Sequence, residues 1–140
     1  SAASDVYKRQ KASNVKKWRS VEENTIEILR GFDEIANVLD VAAQNVGYDI
    51  EVITKDGTHK YFEVKSVDNI GAPFSMTNNE FSAAVQYKEK YYLAIVNQSD
   101  NYIEICFISD PINSLNMTKR VTKWEWYCNS YDGNYTKYIV

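Results

Sequence analysis

Cysteine and histidine are scarce in this chain. Only Cys106, Cys128 and His59 occur in 140 residues. The two cysteines share no metal-ligand spacing, and a structural Cys/His zinc site needs four such ligands, so that class is excluded. Any Ser-His-Asp or Cys-His enzyme would have to rely on His59 alone. Both thiols are expected to be reduced, which places the protein in the cytoplasm. With 2 Pro and 5 Gly the chain is not low-complexity or collagen-like. No apolar run approaches the ~20 residues that span a bilayer. Positive charge is also short: 16 Lys and Arg face 19 Asp and Glu, a net charge of −3. That disfavours a wholly cationic nucleic-acid binder but leaves room for a local basic groove.

What is present is enough apolar residue for one core. Hydrophobic residues make up 44% and aromatic residues 14%, as a globular domain requires. Residues 1–10, SAASDVYKRQ, are polar, with no apolar stretch or cleavage site of a secretory signal. The string resembles translated sequencing-adapter sequence, with a natural disordered leader as the alternative, and is set apart from the fold. The expectation is that the native upstream sequence is missing and that the domain is the tail of a longer protein. Residues 11–19 read as a linker in which Lys16, Lys17 and Arg19 flank Trp18. That cluster suits either a DNA backbone or a tether. Residues 20–140 are expected to form the domain.

Ser20-Val21-Glu22-Glu23 has the form of a capping box, and Val21, Thr25, Ile28 and Leu29 repeat at helical spacing. A helix to about Arg30, stopped by Gly31, follows. Strands are predicted over residues 37–42, 48–54, 58–67, 91–96 and 102–109. A second capping box, Thr77-Asn78-Asn79-Glu80, opens a helix to about Lys90. Glu80 is read as the N3 residue of that box, with a place in the site as the alternative. Weaker strands are expected over residues 121–127 and 135–140. The order is α-β-β-β-α-β-β with a strand-rich end, a mixed α/β domain around a central sheet.

The hairpin GYDIEVITKDGTHKYFEVKS carries the chemistry. Lys55-Asp56-Gly57 suits a three-residue loop with Gly57 in the left-handed conformation. In that register Ile50 faces Phe62 and Tyr48 faces Val64 on one apolar face. Asp49 lies across from Glu63 on the other, with Lys65 two positions on. A two-residue loop would scatter both sets. Facing carboxylates repel unless a cation compensates. Asp49 and Glu63 offer hard oxygens to an octahedral Mg²⁺ that keeps several waters. Such an ion lowers the pKa of water and polarises a phosphoryl oxygen. Lys65 is placed to orient the attacking water or to stabilise developing charge. These parts suit phosphodiester hydrolysis. An exposed salt-bridge ladder is the plainer alternative.

Asp49, thirteen further residues, then Glu63-Val64-Lys65 resembles the PD-(D/E)XK nuclease superfamily. The wider string GYDIEV…YFEVKS…FSMTNNEF…YYLAIV, over residues 20–96, resembles the NO VEIN-like C-terminal domain. That resemblance implies a restriction-endonuclease-like sheet flanked by helices and Mg²⁺-dependent DNA cleavage, with Mn²⁺ as a substitute. It implies catalytic roles for Asp49, Glu63, Lys65 and Glu22, and metal ligation by Asp49, Glu63 and Val64. The family's Gly-Glu-Glu start is replaced here by Val21-Glu22-Glu23, so Glu22 is either an accessory site residue or a solvated helix residue. Thr77, Asn79 and Glu80 match the family's T-x-N-E element. The implied context is a defence or restriction protein, with a helicase or ATPase domain as a possible neighbour and a homodimer as a possible assembly. A non-catalytic module of the same fold, binding nucleic acid or protein, is the alternative. Lys88 and Lys90, at a helix end, and Trp124 and Trp126, alternating with Lys123 and Glu125, are secondary candidates for nucleic-acid contact. His59 is read as a surface residue.

Overall fold

The computed structural model describes residues 20–140. The linker and its Lys16, Lys17, Trp18 and Arg19 cluster lie outside these residues. A helix, α1, covers residues 20–30 and ends before Gly31. Residue 20 is already helical, so Ser20 is not the helix cap. Its hydroxyl instead accepts from the amides of Asn24 and Gln98.

Five strands follow: β1 Ile35–Asp40, β2 Ile50–Thr54, β3 His59–Ser66, β4 Tyr91–Gln98 and β5 Ile103–Ser109. They form one sheet in the order β1-β2-β3-β4-β5. All neighbours are antiparallel except β3 and β4. The parallel pair needs a crossover, which α2, Asn78–Tyr87, supplies. Thr77 caps α2: its side chain accepts from the Glu80 N–H, and the Glu80 carboxylate accepts from the Thr77 N–H. The helix stops short of the expected Lys90. Lys88 adopts φ +52 and the chain continues as a 3₁₀ turn over Lys88–Lys90. A short helix α3, Pro111–Ser114, follows β5. The mixed α/β order over residues 20–109 is the expected one.

Strand alternation builds two cores. On one face Ile50, Val52, Phe62, Val64, Ala94 and Val96 bury against Val21, Ile26 and Leu29 of α1. On the other, Tyr91, Leu93 and Ile95 bury against Ala83 and Ala84 of α2. The small alanines let α2 approach the sheet closely.

The strands expected over residues 121–127 and 135–140 do not form. No regular element follows Ser114, and residues 118–140 are exposed throughout. α1 and α2 lie against the two faces of the sheet, residues 118–140 pack on neither, and a two-stranded ribbon alone is marginal in water. Among the described residues no helix is long and apolar enough to cross a membrane.

Candidate active site

The β2–β3 hairpin has the three-residue loop. Ile50 pairs with Phe62, Glu51 with Tyr61, Val52 with Lys60 and Ile53 with His59. Gly57 takes φ +87, a conformation natural only to glycine. The register thus places Glu63 and Lys65 on the α2 face, opposite Phe62 and Val64.

One expectation is corrected. The ladder ends at Ile50, so Tyr48 does not face Val64 across the apolar side. It turns to the α2 face, where its ring lies 4.7 Å from Tyr61 and 5.9 Å from Tyr87. The bend originates at Gly47. Its φ is +92, and a Cβ there would sit 2.7 Å from the Asn79 carbonyl oxygen and from the Ala83 methyl. Only glycine fits between this loop and α2. Two hydrogen bonds clamp the same loop: Tyr91 Oη donates to the Gly47 carbonyl at 2.8 Å, and Asn79 Nδ2 to the Asn45 carbonyl at 2.8 Å.

Asp49 follows directly. Its N–H donates to the Phe62 carbonyl, and its Oδ2 accepts the Val64 N–H at 2.9 Å. The carboxylate therefore caps the β3 backbone where the β2 ladder stops. Its carboxyl lies beside that of Glu63, close enough for each to shift the other's titration. Burial, and then the Asp49 charge, push the Glu63 pKa up to about 9. Burial raises Asp49 as well, although the Val64 N–H opposes it. Burial and the mutual repulsion of two neighbouring carboxylates both disfavour ionising the pair together.

Lys65 Nζ lies 3.6 Å from Glu63 Oε1 and only 2.5 Å from Glu80 Oε1. Glu80 is buried. It completes the α2 cap and also anchors Lys65, so the structure gives it a second role that the capping reading missed. Its partner stands fifteen residues away and meets it only through the crossover.

Val64 contributes its backbone N–H to Asp49. Glu22 is half-buried on α1, whose buried residues face the opposite side of the sheet from Glu63 and Lys65. His59 is exposed, and its Nδ1 lies 2.7 Å from Glu51 Oε1. Lys88 and Lys90 are exposed at the far end of α2. Among the described residues, no group of three or more His, Cys, Asp or Glu is arranged to hold a metal ion. The acidic pair is a two-carboxylate site, flanked by one ammonium whose own counter-ion is Glu80.

The structure thus brings Asp49, Glu63, Lys65 and Glu80 together in one half-enclosed polar cluster on the α2 face. No curated protein and no solved structure matches the chain. Residues 15–108 match the family model described as Protein NO VEIN, C-terminal. The match contains α1, the whole hairpin, α2, β4 and nearly all of β5, together with Asp49, Glu63, Lys65 and Glu80. By its sequence over that span, the chain belongs to the NO VEIN C-terminal family.

Proposed function

We propose that this domain is a divalent-metal-dependent nuclease of the PD-(D/E)XK kind, hydrolysing phosphodiester bonds in DNA. The observation that carries the reading is the buried Asp49–Glu63 carboxyl pair with Lys65 3.6 Å from Glu63. Carboxylate oxygens are the donors Mg²⁺ or Mn²⁺ prefers. Two protein carboxylates suffice, because Mg²⁺ retains several waters. Asp49, Glu63 and the Val64 carbonyl would hold the ion; Glu22, on the α1 side of the sheet, takes no part in this reading. When bound it supplies Lewis acidity at a phosphoryl oxygen.

The chain's own groups do the rest. Asp49 fixes the local geometry through its bond to Val64. Glu63 would offer its carboxylate oxygens beside those of Asp49. Lys65 presents an ammonium toward the charge that develops on the phosphoryl group. Glu80 sets where that ammonium sits. The reading extends to a defence or restriction setting, with this domain acting beside a helicase or ATPase module or as a homodimer.

A second reading is supported by one contact. Lys65 lies closer to Glu80 than to Glu63, so its charge is already compensated. A non-catalytic module of the same fold, binding nucleic acid or protein, would tolerate that arrangement.

Plasmid and single-stranded DNA incubated with Mg²⁺ or Mn²⁺ separate the two readings. The nuclease reading expects cutting that falls at least about a hundredfold in Asp49→Ala and in Lys65→Ala. If the wild type cuts nothing and calorimetry detects no Mg²⁺ binding, the non-catalytic reading takes its place.

A further inference from the structure

Charge is segregated along the chain. Residues 20–115 carry six Lys and Arg against sixteen Asp and Glu, a side-chain charge of −10. Three of those six cations are engaged: Lys65 with Glu80, Arg30 with Glu27, and Lys60 over the Tyr92 ring. A body of this charge repels a polyanion, and phosphate affinity comes from Lys and Arg. Residues 116–140 are the opposite. Lys119, Arg120, Lys123 and Lys137 face only Glu125 and Asp132, a side-chain charge of +2.

The same segment holds six aromatic residues: Trp124, Trp126, Tyr127, Tyr131, Tyr135 and Tyr138. All are at least three-quarters exposed, and Trp126 is 92% exposed. Trp124 and Trp126 meet edge to face at 5.7 Å, so their broad faces are not stacked on each other. Exposed apolar surface at this density marks an interaction site. Cations interleaved with open aromatic faces fit one ligand class best: phosphates take the cations, and unpaired bases take the rings. A duplex keeps its bases stacked and offers the rings nothing.

We infer that residues 116–140 form a binding strap for single-stranded nucleic acid, with Trp124 and Trp126 as its base-stacking platform. Its use in delivering substrate rests on the nuclease reading; the binding itself does not. The strap supplies the positive charge and stacking surface that the acidic body lacks.

The test uses the full chain and a labelled oligo(dT), with affinity read by fluorescence anisotropy. Stacking is read by tryptophan emission in a Trp18→Phe background. The expected result is quenched emission and affinity that falls with salt. Trp124→Ala/Trp126→Ala should weaken binding by about a hundredfold, from about tenfold for each ring. Lys119→Ala/Lys123→Ala should flatten the salt dependence. These side chains are exposed, so the variants keep the fold. Unquenched emission, undiminished binding by the double tryptophan variant, equal affinity for duplex DNA, or equal competition by poly-glutamate would each overturn the strap. Oligo(dT) binding without metal-dependent cutting would overturn the nuclease reading and leave the strap standing. Cutting lost in Lys65→Ala, with oligo(dT) affinity indifferent to both tryptophans, would do the reverse.

Discussion

The two faces of β3 differ as sharply as a core and a site can. Phe62 and Val64 point to one side, into an aliphatic and aromatic cluster under α1 with no titratable group among its buried members. Tyr61, Glu63 and Lys65 point to the other, where a carboxyl whose pKa burial raises, an ion pair and three tyrosine rings lie beside α2. One strand serves both because successive side chains alternate. The apolar face gains stability from area removed from water. The polar face holds buried groups that must each find a partner. The first face therefore supplies stability on which the second draws.

The largest effect should come from the apolar face. Phe62 is buried against Ile50 and stacks on Tyr92 at 4.7 Å. Phe62→Ala removes a ring from a closed cluster and is expected to cost about 3–5 kcal/mol. Chemical denaturation checks this. A loss under about 1 kcal/mol would mean that the α1 face is not the stabilising half.

The polar face should respond in the opposite sense. The folded-state pKa of Glu63, about 9, lies well above its ordinary value of 4.5. The folded protein thus binds more protons than the unfolded chain between those values. Its contribution is fully present below pH 4.5 and is lost as pH rises through about 9. Burial shifts Asp49 in the same direction. Melting temperature should therefore fall as pH climbs from 5 to 9 without metal. Glu63→Gln, which keeps a donor to Asp49 and cannot ionise, should flatten that slope and melt several degrees higher at the alkaline end. It should also abolish Mg²⁺ binding. In the wild type, Mg²⁺ affinity should rise over the same range, because the ion displaces a proton. A pH-independent melting temperature would break the comparison at its centre.

These differences also show what a sequence can disclose. The hairpin register was legible because its determinants are local: a Lys-Asp-Gly loop and two strands whose apolar residues agree on one pairing. The α2 cap was legible for the same reason. The second role of Glu80 was not, since Lys65 reaches it only when the β3–β4 crossover lays α2 over the sheet. Nor was the turn at Gly47, which depends on how close α2 lies to the loop. The missing C-terminal strands mark the converse limit. Residues such as Trp124 and Tyr127 favour strands when half-buried on a pleated surface, and that preference is a property of the surface as much as of the residue. Here residues 118–140 are exposed and lie on no such surface.

The smallest effect should arise where the two halves of the Glu80 role are separated. Thr77→Ala removes the hydroxyl that accepts from the Glu80 N–H at 3.2 Å. It leaves the Lys65–Glu80 ion pair in place. Loss of an N-cap oxygen costs about 1 kcal/mol. The buried pair, held by Lys65 and by the Thr77 backbone N–H, should keep the ammonium where it is. Stability should fall by that modest amount, while Mg²⁺ affinity and any cleavage rate stay within about twofold of wild type. Glu80→Gln sharpens the contrast, since it keeps the shape of the cap but strips the charge that anchors Lys65. If Thr77→Ala lowers Mg²⁺ affinity as much as Glu80→Gln does, the cap and the ion pair act as one unit. The position of Lys65 would then be set by the helix terminus rather than by the carboxylate.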